Sequence, residues 1–189
     1  MDVLTALVSV AIGALLGGGV NALVGRYASF KESQALAAAL RAELEVLLDV
    51  VEGRDHVGGL ERTIIYLSSM TSQAKSDQFY DVMRAANDSY SVFHANCSRL
   101  GLLGGAAEPV VAAYMRFKGV DADLEGLAER QQRSPLNHEQ LLHVHVSTRE
   151  LLVQALRRSR VAVNRLREHE EQRFFRRSTR RGDADGSTR

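Results

Sequence analysis

The sequence predicts an all-α protein: an N-terminal transmembrane helix continuing into a cytoplasmic helical bundle with a long C-terminal helix. Three observations carry this. The run from Val3 to Gly25 contains no charged residue. Beyond it, apolar residues recur at steps of three and four, and no segment shows strand-like alternation. With 6% aromatics, two Pro and no Trp in 189 residues, the chain lacks what a β-sandwich or barrel needs. Its 45% apolar and 25% charged content is otherwise ordinary for a folded protein. One Cys excludes an internal disulfide and a Cys-rich zinc site.

The first element is the membrane anchor, residues 1–26. The charge-free run covers 23 positions, roughly 34 Å of helix against a bilayer core of about 30 Å. A secretory signal peptide fits less well, because no Lys or Arg precedes Arg26, although Val20-Asn21-Ala22 can pass as a cleavage site. The basic flank (Arg26, Lys31, Arg41) follows the run, so the N-terminus is expected outside and the body in the cytoplasm. Ser9, Gly13, Gly17, Asn21 and Gly25 recur every four residues and include a GxxxG pair. Such a stripe lets two helix backbones approach closely, so self-association is expected there.

Residues 27–133 read as a helical bundle made of a stalk helix plus two or three more. Leu36, Leu40, Leu44, Leu47 and Val51 form one stripe with no Gly or Pro from residue 26 to 52, and Gly53 with Gly58-Gly59 marks its end. A second helix is expected from Leu60 to about Ala74. A third is expected from about Asp77 to Leu100, with Phe79, Val82, Met83, Ala86, Tyr90, Phe93 and Cys97 inward and Gly101 as a left-handed cap. Pro109 suits the first turn of a fourth helix carrying Val110, Val111, Tyr114, Phe117, Leu124 and Leu127. Ser134-Pro135 signals the start of a fifth, running to about Arg177, with Leu142, Leu152, Leu156, Val163 and Leu166 inward. This helix, residues 134–177, is longer than so small a core, so its distal part is expected to leave the bundle or to pair with another chain as in a coiled coil. Residues 178–189 carry no large apolar side chain and read as a solvated, disordered tail.

Charge is unevenly placed. Residues 139–181 hold eleven Arg against five Glu, whereas residues 1–138 hold twelve basic against sixteen acidic side chains. The basic contact surface consists of Arg157, Arg158, Arg160, Arg165, Arg167, Arg173, Arg176, Arg177, Arg180 and Arg181. It suits anionic lipid, nucleic acid, or an acidic partner such as the acidic front of a second copy; a solvated helix laced with Glu150, Glu168, Glu170 and Glu171 is the plainer alternative.

Catalytic chemistry is sparse. His138-Glu139-Gln140-Leu141-Leu142-His143-Val144-His145 is not the zincin motif, since the first two His are five apart. His138, Glu139 and His143 are weighed as metal ligands, but a solvated or hydrogen-bonded cluster is expected. Asp121-Ala122-Asp123-Leu124-Glu125 lacks the EF-hand spacing and reads as a solvated acidic turn. Cys97 is expected in the core. No Walker, GxSxG or Rossmann signature is present, so no cofactor, metal or catalytic residue is assigned and an enzyme is not expected.

Ala35-Leu36-Ala37-Ala38-Ala39-Leu40-Arg41-Ala42-Glu43-Leu44, Leu100-Gly101-Leu102-Leu103 and a helix bearing Tyr114, all behind a short anchor, resemble uncharacterised single-pass inner-membrane helical proteins of bacteria and their prophages. The resemblance implies a bacterial or phage origin and an inner-membrane address, and brings no catalytic residues. The leading expectation is a non-catalytic, self-associating interaction or scaffold protein that holds a protein partner at the inner face of the lipid bilayer. Alternatives are a phage-type lysis or exclusion effector that perturbs the bilayer, and an adaptor binding nucleic acid or anionic lipid through the Arg-rich helix.

Overall fold

The computed structural model describes residues 3–69, 90–133 and 136–172; the side chains of residues 3–17, 131 and 132 lie outside that description. The described chain is all helical: α1 (Val3–Gly53), α2 (His56–Ser69), α3 (Ser91–Asn96), a 3-10 stretch (Cys97–Ala106), α4 (Ala107–Arg133) and α5 (His138–Glu170). The core forms where α1, α4 and α5 pack together. Leu36, Leu40, Leu44, Leu47 and Val51, the stripe read from the sequence, are all buried in it. Opposite them lie Val110, Tyr114, Phe117 and Val120 of α4, and Leu152, Leu156, Val163 and Leu166 of α5.

α1 and α5 run antiparallel. Gln34 meets Glu170, Glu45 meets Arg167, and Glu52 meets Arg160. α1 breaks at Arg54-Asp55, and α2 continues along α5, where Glu61 meets Arg149. α4 and α5 form the other antiparallel pair, and Arg116 reaches Gln154 across it. Leu67, Leu127 and Leu141 make a smaller apolar cluster. The distal half of α5 therefore does not leave the bundle as expected: Ala162, Val163, Leu166 and His169 are buried, because α1 is long enough to cover it.

Several expected boundaries move for identifiable reasons. Gly58 and Gly59 lie inside α2, which starts at His56. Asp55, at φ 49°, folds its carboxylate back to accept the Gly58 N–H, and a Cβ at Gly58 would sit 2.4 Å from that carboxylate. The third helix is a fresh start near residue 90. The N–H groups of Val92 and Phe93 donate to the Glu43 carboxylate, so they occupy the first turn of a helix rather than its interior. That helix tightens to 3-10 geometry at Cys97, and the left-handed glycine is Gly104 (φ 55°), not Gly101. Cys97 is exposed, outside the core. Val111 is exposed and Leu142 only half-buried; Leu141 takes the inward place. α5 begins at His138, capped by Asn137, whose side chain accepts the Gln140 N–H while the Gln140 side chain accepts the Asn137 N–H. This capping box outweighs the Ser-Pro signal. The expected third-helix residues Phe79, Val82, Met83 and Ala86 lie outside the described residues.

Among the described residues no helix is long and apolar enough to cross a membrane. Of the charge-free run, the described side chains begin at Gly18, and from Gly18 to Ser29 every residue is exposed.

Gly104 and Gly105 make a controlled pair. Gly104→Ala is expected to destabilise the fold by about 1–3 kcal/mol, because L residues rarely adopt that backbone conformation. Gly105→Ala, whose Cβ meets nothing within 4 Å, should leave the denaturation midpoint nearly unchanged. Urea unfolding of the two variants checks this.

Candidate functional site

The end of the bundle from which α1 projects is where polar side chains gather. Ser33 and His169 both fall on the apolar stripes of their helices and are buried. The Ser33 hydroxyl donates to the Leu102 carbonyl (2.8 Å), so the 2.6 Å contact with His169 requires that the imidazole Nε2–H donate to Ser33 Oγ. A serine activated for attack would send its proton to the imidazole. Here it points the other way, and the pair ties α1, α5 and the 3-10 stretch together. Gln34 adds two further ties, its amide donating to the Glu170 carbonyl (2.8 Å) and the Gln172 carbonyl (3.2 Å).

A ladder of ion pairs continues from this end. Arg41 grips Glu170 through Nε (2.7 Å) and Nη2 (3.2 Å) and also touches Glu45. The hydrogen bond to Glu170, then that to Glu45, holds its guanidinium above the usual range. Arg167–Glu45 (3.3 Å), Arg160–Glu52 (2.9 Å) and Arg149–Glu61 follow. Each such exposed pair contributes on the order of 0–1 kcal/mol, so the ladder sets register more than stability. The acidic partner expected from a second copy is thus found within the same chain for Arg160 and Arg167. Arg165 pairs with Glu168. Arg157 and Arg158 are exposed and have no ion-pair partner among the described residues. Arg173, Arg176, Arg177, Arg180 and Arg181 lie outside the described residues.

Of the expected self-association stripe, Ser9, Gly13 and Gly17 lie outside the described side chains. Asn21 and Gly25 are exposed, and a Cβ at Gly18, Gly19 or Gly25 would meet nothing within 4 Å. Val20, Leu23 and Val24 are 57–61% exposed around them. Past the apolar run stand Arg26 and Lys31, both exposed, with Lys31 Nζ 5.7 Å from the centre of the Tyr27 ring.

A second polar network crosses the middle of the bundle. Glu43 accepts from Tyr114 Oη (2.5 Å) as well as from the N–H groups that start α3. Tyr114 is fully buried and stacks on Phe93, with centroids 4.1 Å apart. Tyr90 Oη donates to Asp121 Oδ2 (2.7 Å). Burial, reinforced by these carboxylates, pushes both phenols well above their ordinary range. Asp121 itself is raised, chiefly by burial and further by Glu125, against the opposing effects of Tyr90 and Lys118. The expected solvated acidic turn is instead a stretch of α4, with Asp121 half-buried. With Tyr90, His94, Lys118 and Ala122 it lines an open pocket of about 280 Å³.

Among the described residues no three His, Cys, Asp or Glu side chains gather to hold a metal. The His138–His145 run splits. His145 is buried with Nδ1–H donating to the Leu141 carbonyl, while Glu139 and His143 are exposed. Sequence reasoning missed Ser33, Glu43, Tyr90–Asp121 and His169. Their signal was available: Ser33 and His169 are polar residues placed on apolar stripes, and Glu43 borders one. No family model matches the chain, and neither a curated protein nor a solved structure shows significant similarity to it.

Glu43→Ala is expected to cost about 1–3 kcal/mol, because it strands a buried hydroxyl. The loss should shrink in the Tyr114→Phe background, a coupling that a double-mutant cycle in urea measures. Asp121 gives a pH test. Its folded pKa is raised, so the folded state binds more protons than the unfolded one above pH 3.8, and stability falls as pH rises through that window. Asp121→Asn should be the more stable protein at pH 7, and the gain should vanish below pH 3.8, where both states are protonated.

Proposed function

We propose that this is a non-catalytic, membrane-anchored helical interaction protein. Residues 3–25 cross the bacterial inner membrane with the N-terminus outside, and the bundle stands on the cytoplasmic side, where it holds a protein partner. The observation that carries this reading is the continuity of α1. One helix runs from Val3 through the charge-free run into the bundle, and among the described residues nothing covers Val20, Leu23 or Val24. A row of exposed aliphatic side chains on a helix is stable when its surroundings are lipid. The flanking Arg26 and Lys31 support the cytoplasmic orientation.

Self-association through Ser9, Gly13, Gly17, Asn21 and Gly25 is part of the same reading. The open space at Gly25 and the exposure of Asn21 leave that face free for a second copy. The ion ladder and the Ser33–His169 tie support a rigid presenting body rather than an active site, since their protons and charges are already committed to internal partners.

The expected outcome is that the expressed chain sediments with membranes, resists a carbonate wash and dissolves in detergent as a dimer or larger. Gly13→Leu with Gly17→Leu should convert it to a monomer without changing membrane retention. Recovery of the intact chain in the supernatant after ultracentrifugation without detergent overturns the anchor. Collapse of the membrane potential on induction, read with a voltage dye, instead favours an effector that perturbs the bilayer.

A further inference from the structure

We propose that the outward face of α5 docks a second copy of this chain, with the two α5 helices antiparallel. The face lies opposite the buried stripe of α5. It carries Val146, Glu150, Val153, Arg157 and Val161 at steps of three and four residues, the spacing that places side chains on one side of a helix. All five are exposed, and the three Val keep 36–43% of their surface in solvent. The ion pairs of α5 use Arg149, Arg160, Arg165, Arg167, Glu168 and Glu170. Glu150 and Arg157 have no ion-pair partner among the described residues, although they stand only two helical turns apart, about 10 Å.

The partner follows from the order of these residues, because the face is its own complement. Glu150 and Arg157 stand equally far on either side of the midpoint between residues 153 and 154, and so do Val146 and Val161. A half-turn about an axis through that midpoint sets each Glu150 against the partner's Arg157 and each Val146 against the partner's Val161. The two Val153 side chains meet near the axis. This is the self-complementary contact that a two-fold dimer requires. Parallel pairing instead sets Glu150 against Glu150 and Arg157 against Arg157, and like charges so placed repel. The contact does not rest on the anchor reading and uses a different face from the glycine stripe of α1. Since α1 runs antiparallel to α5, the two α1 helices of such a dimer point in opposite directions. Anchored copies therefore meet from two facing bilayers rather than as neighbours in one.

Cys97 is the sole Cys of the chain, so cross-linking at a chosen residue reads the contact directly. Full-length Cys97→Ser protein carrying Val153→Cys is treated in detergent with a short bismaleimide, and a cross-linked dimer is expected. Glu150→Arg or Arg157→Glu should each lower its yield by about tenfold or more, since either change turns two attractions into two repulsions. Mixing the two charge variants should restore the yield, and so should combining both changes in one chain. Chains carrying Val146→Cys and Val161→Cys should cross-link when mixed, and neither should do so alone. Cross-linking of Val146→Cys alone as readily as in the mixture shows parallel pairing and overturns the proposal. Gly13→Leu with Gly17→Leu should leave the yield unchanged; a cross-link lost with them is made by α1 and overturns the α5 contact. Absence of a dimer, or a yield indifferent to both charge changes, leaves this face to a different protein and overturns the second copy. The cross-link is read in detergent, so its outcome is separate from the sedimentation result that decides the anchor.

Discussion

The antiparallel pairing of α1 with α5 is the constraint on which the rest of the fold depends. α1 brings a stripe of Leu spaced for one helical face, and α5 brings a matching stripe of Leu, Val and Ala. Their contact joins one continuous apolar core, and burial of that kind is the main favourable term in folding. α4 packs into the groove the pair leaves, with Tyr114 fully buried against Phe93. The direction of the pairing also fixes topology: α5 must finish beside the place where α1 emerges from the bundle.

Much of this was legible in the sequence, and the exceptions are instructive. The stripe from Leu36 to Val51 appears in the structure residue for residue, because a long Ala- and Leu-rich helix has one way to bury its apolar side. The start of α4 near Pro109 and its buried Val110, Tyr114 and Phe117 were also readable. What could not be read is whatever depends on residues distant in sequence. Glu43 takes the Val92 and Phe93 N–H groups and so sets them in the first turn of α3, and no local propensity contains that. The 33 residues of α5 are accommodated because α1, 51 residues long, runs beside it. Cys97 looked inward on a helical wheel, but the turn to 3-10 geometry at that residue rotates it outward.

The same long-range logic redistributes the charge. Read along the chain, the basic C-terminal region and the acidic front look like surfaces seeking partners. In the fold they are partly one another's partners: Glu45 and Glu52 face Arg167 and Arg160 across the α1–α5 seam. A sequence can therefore carry a strong charge asymmetry and still present little of it, provided the oppositely charged stretches lie on antiparallel neighbours.

Ser33 and His169 explain why the seam has one register. Two Leu-rich helices can slide by a turn and still bury apolar side chains, so apolar matching alone discriminates weakly among registers. A buried hydroxyl and imidazole do not slide. Displaced by a turn, Ser33 Oγ would lose both the Leu102 carbonyl and the His169 N–H, and each orphaned buried group costs about 1–3 kcal/mol. That penalty is comparable to the loss from truncating a buried Leu, and it applies to every wrong register at once. Polar groups on an apolar stripe weaken the stripe slightly and specify its pairing strongly. Placing them at the pole where α1 leaves the bundle fixes the alignment at the end of the seam, where α5 finishes beside α1.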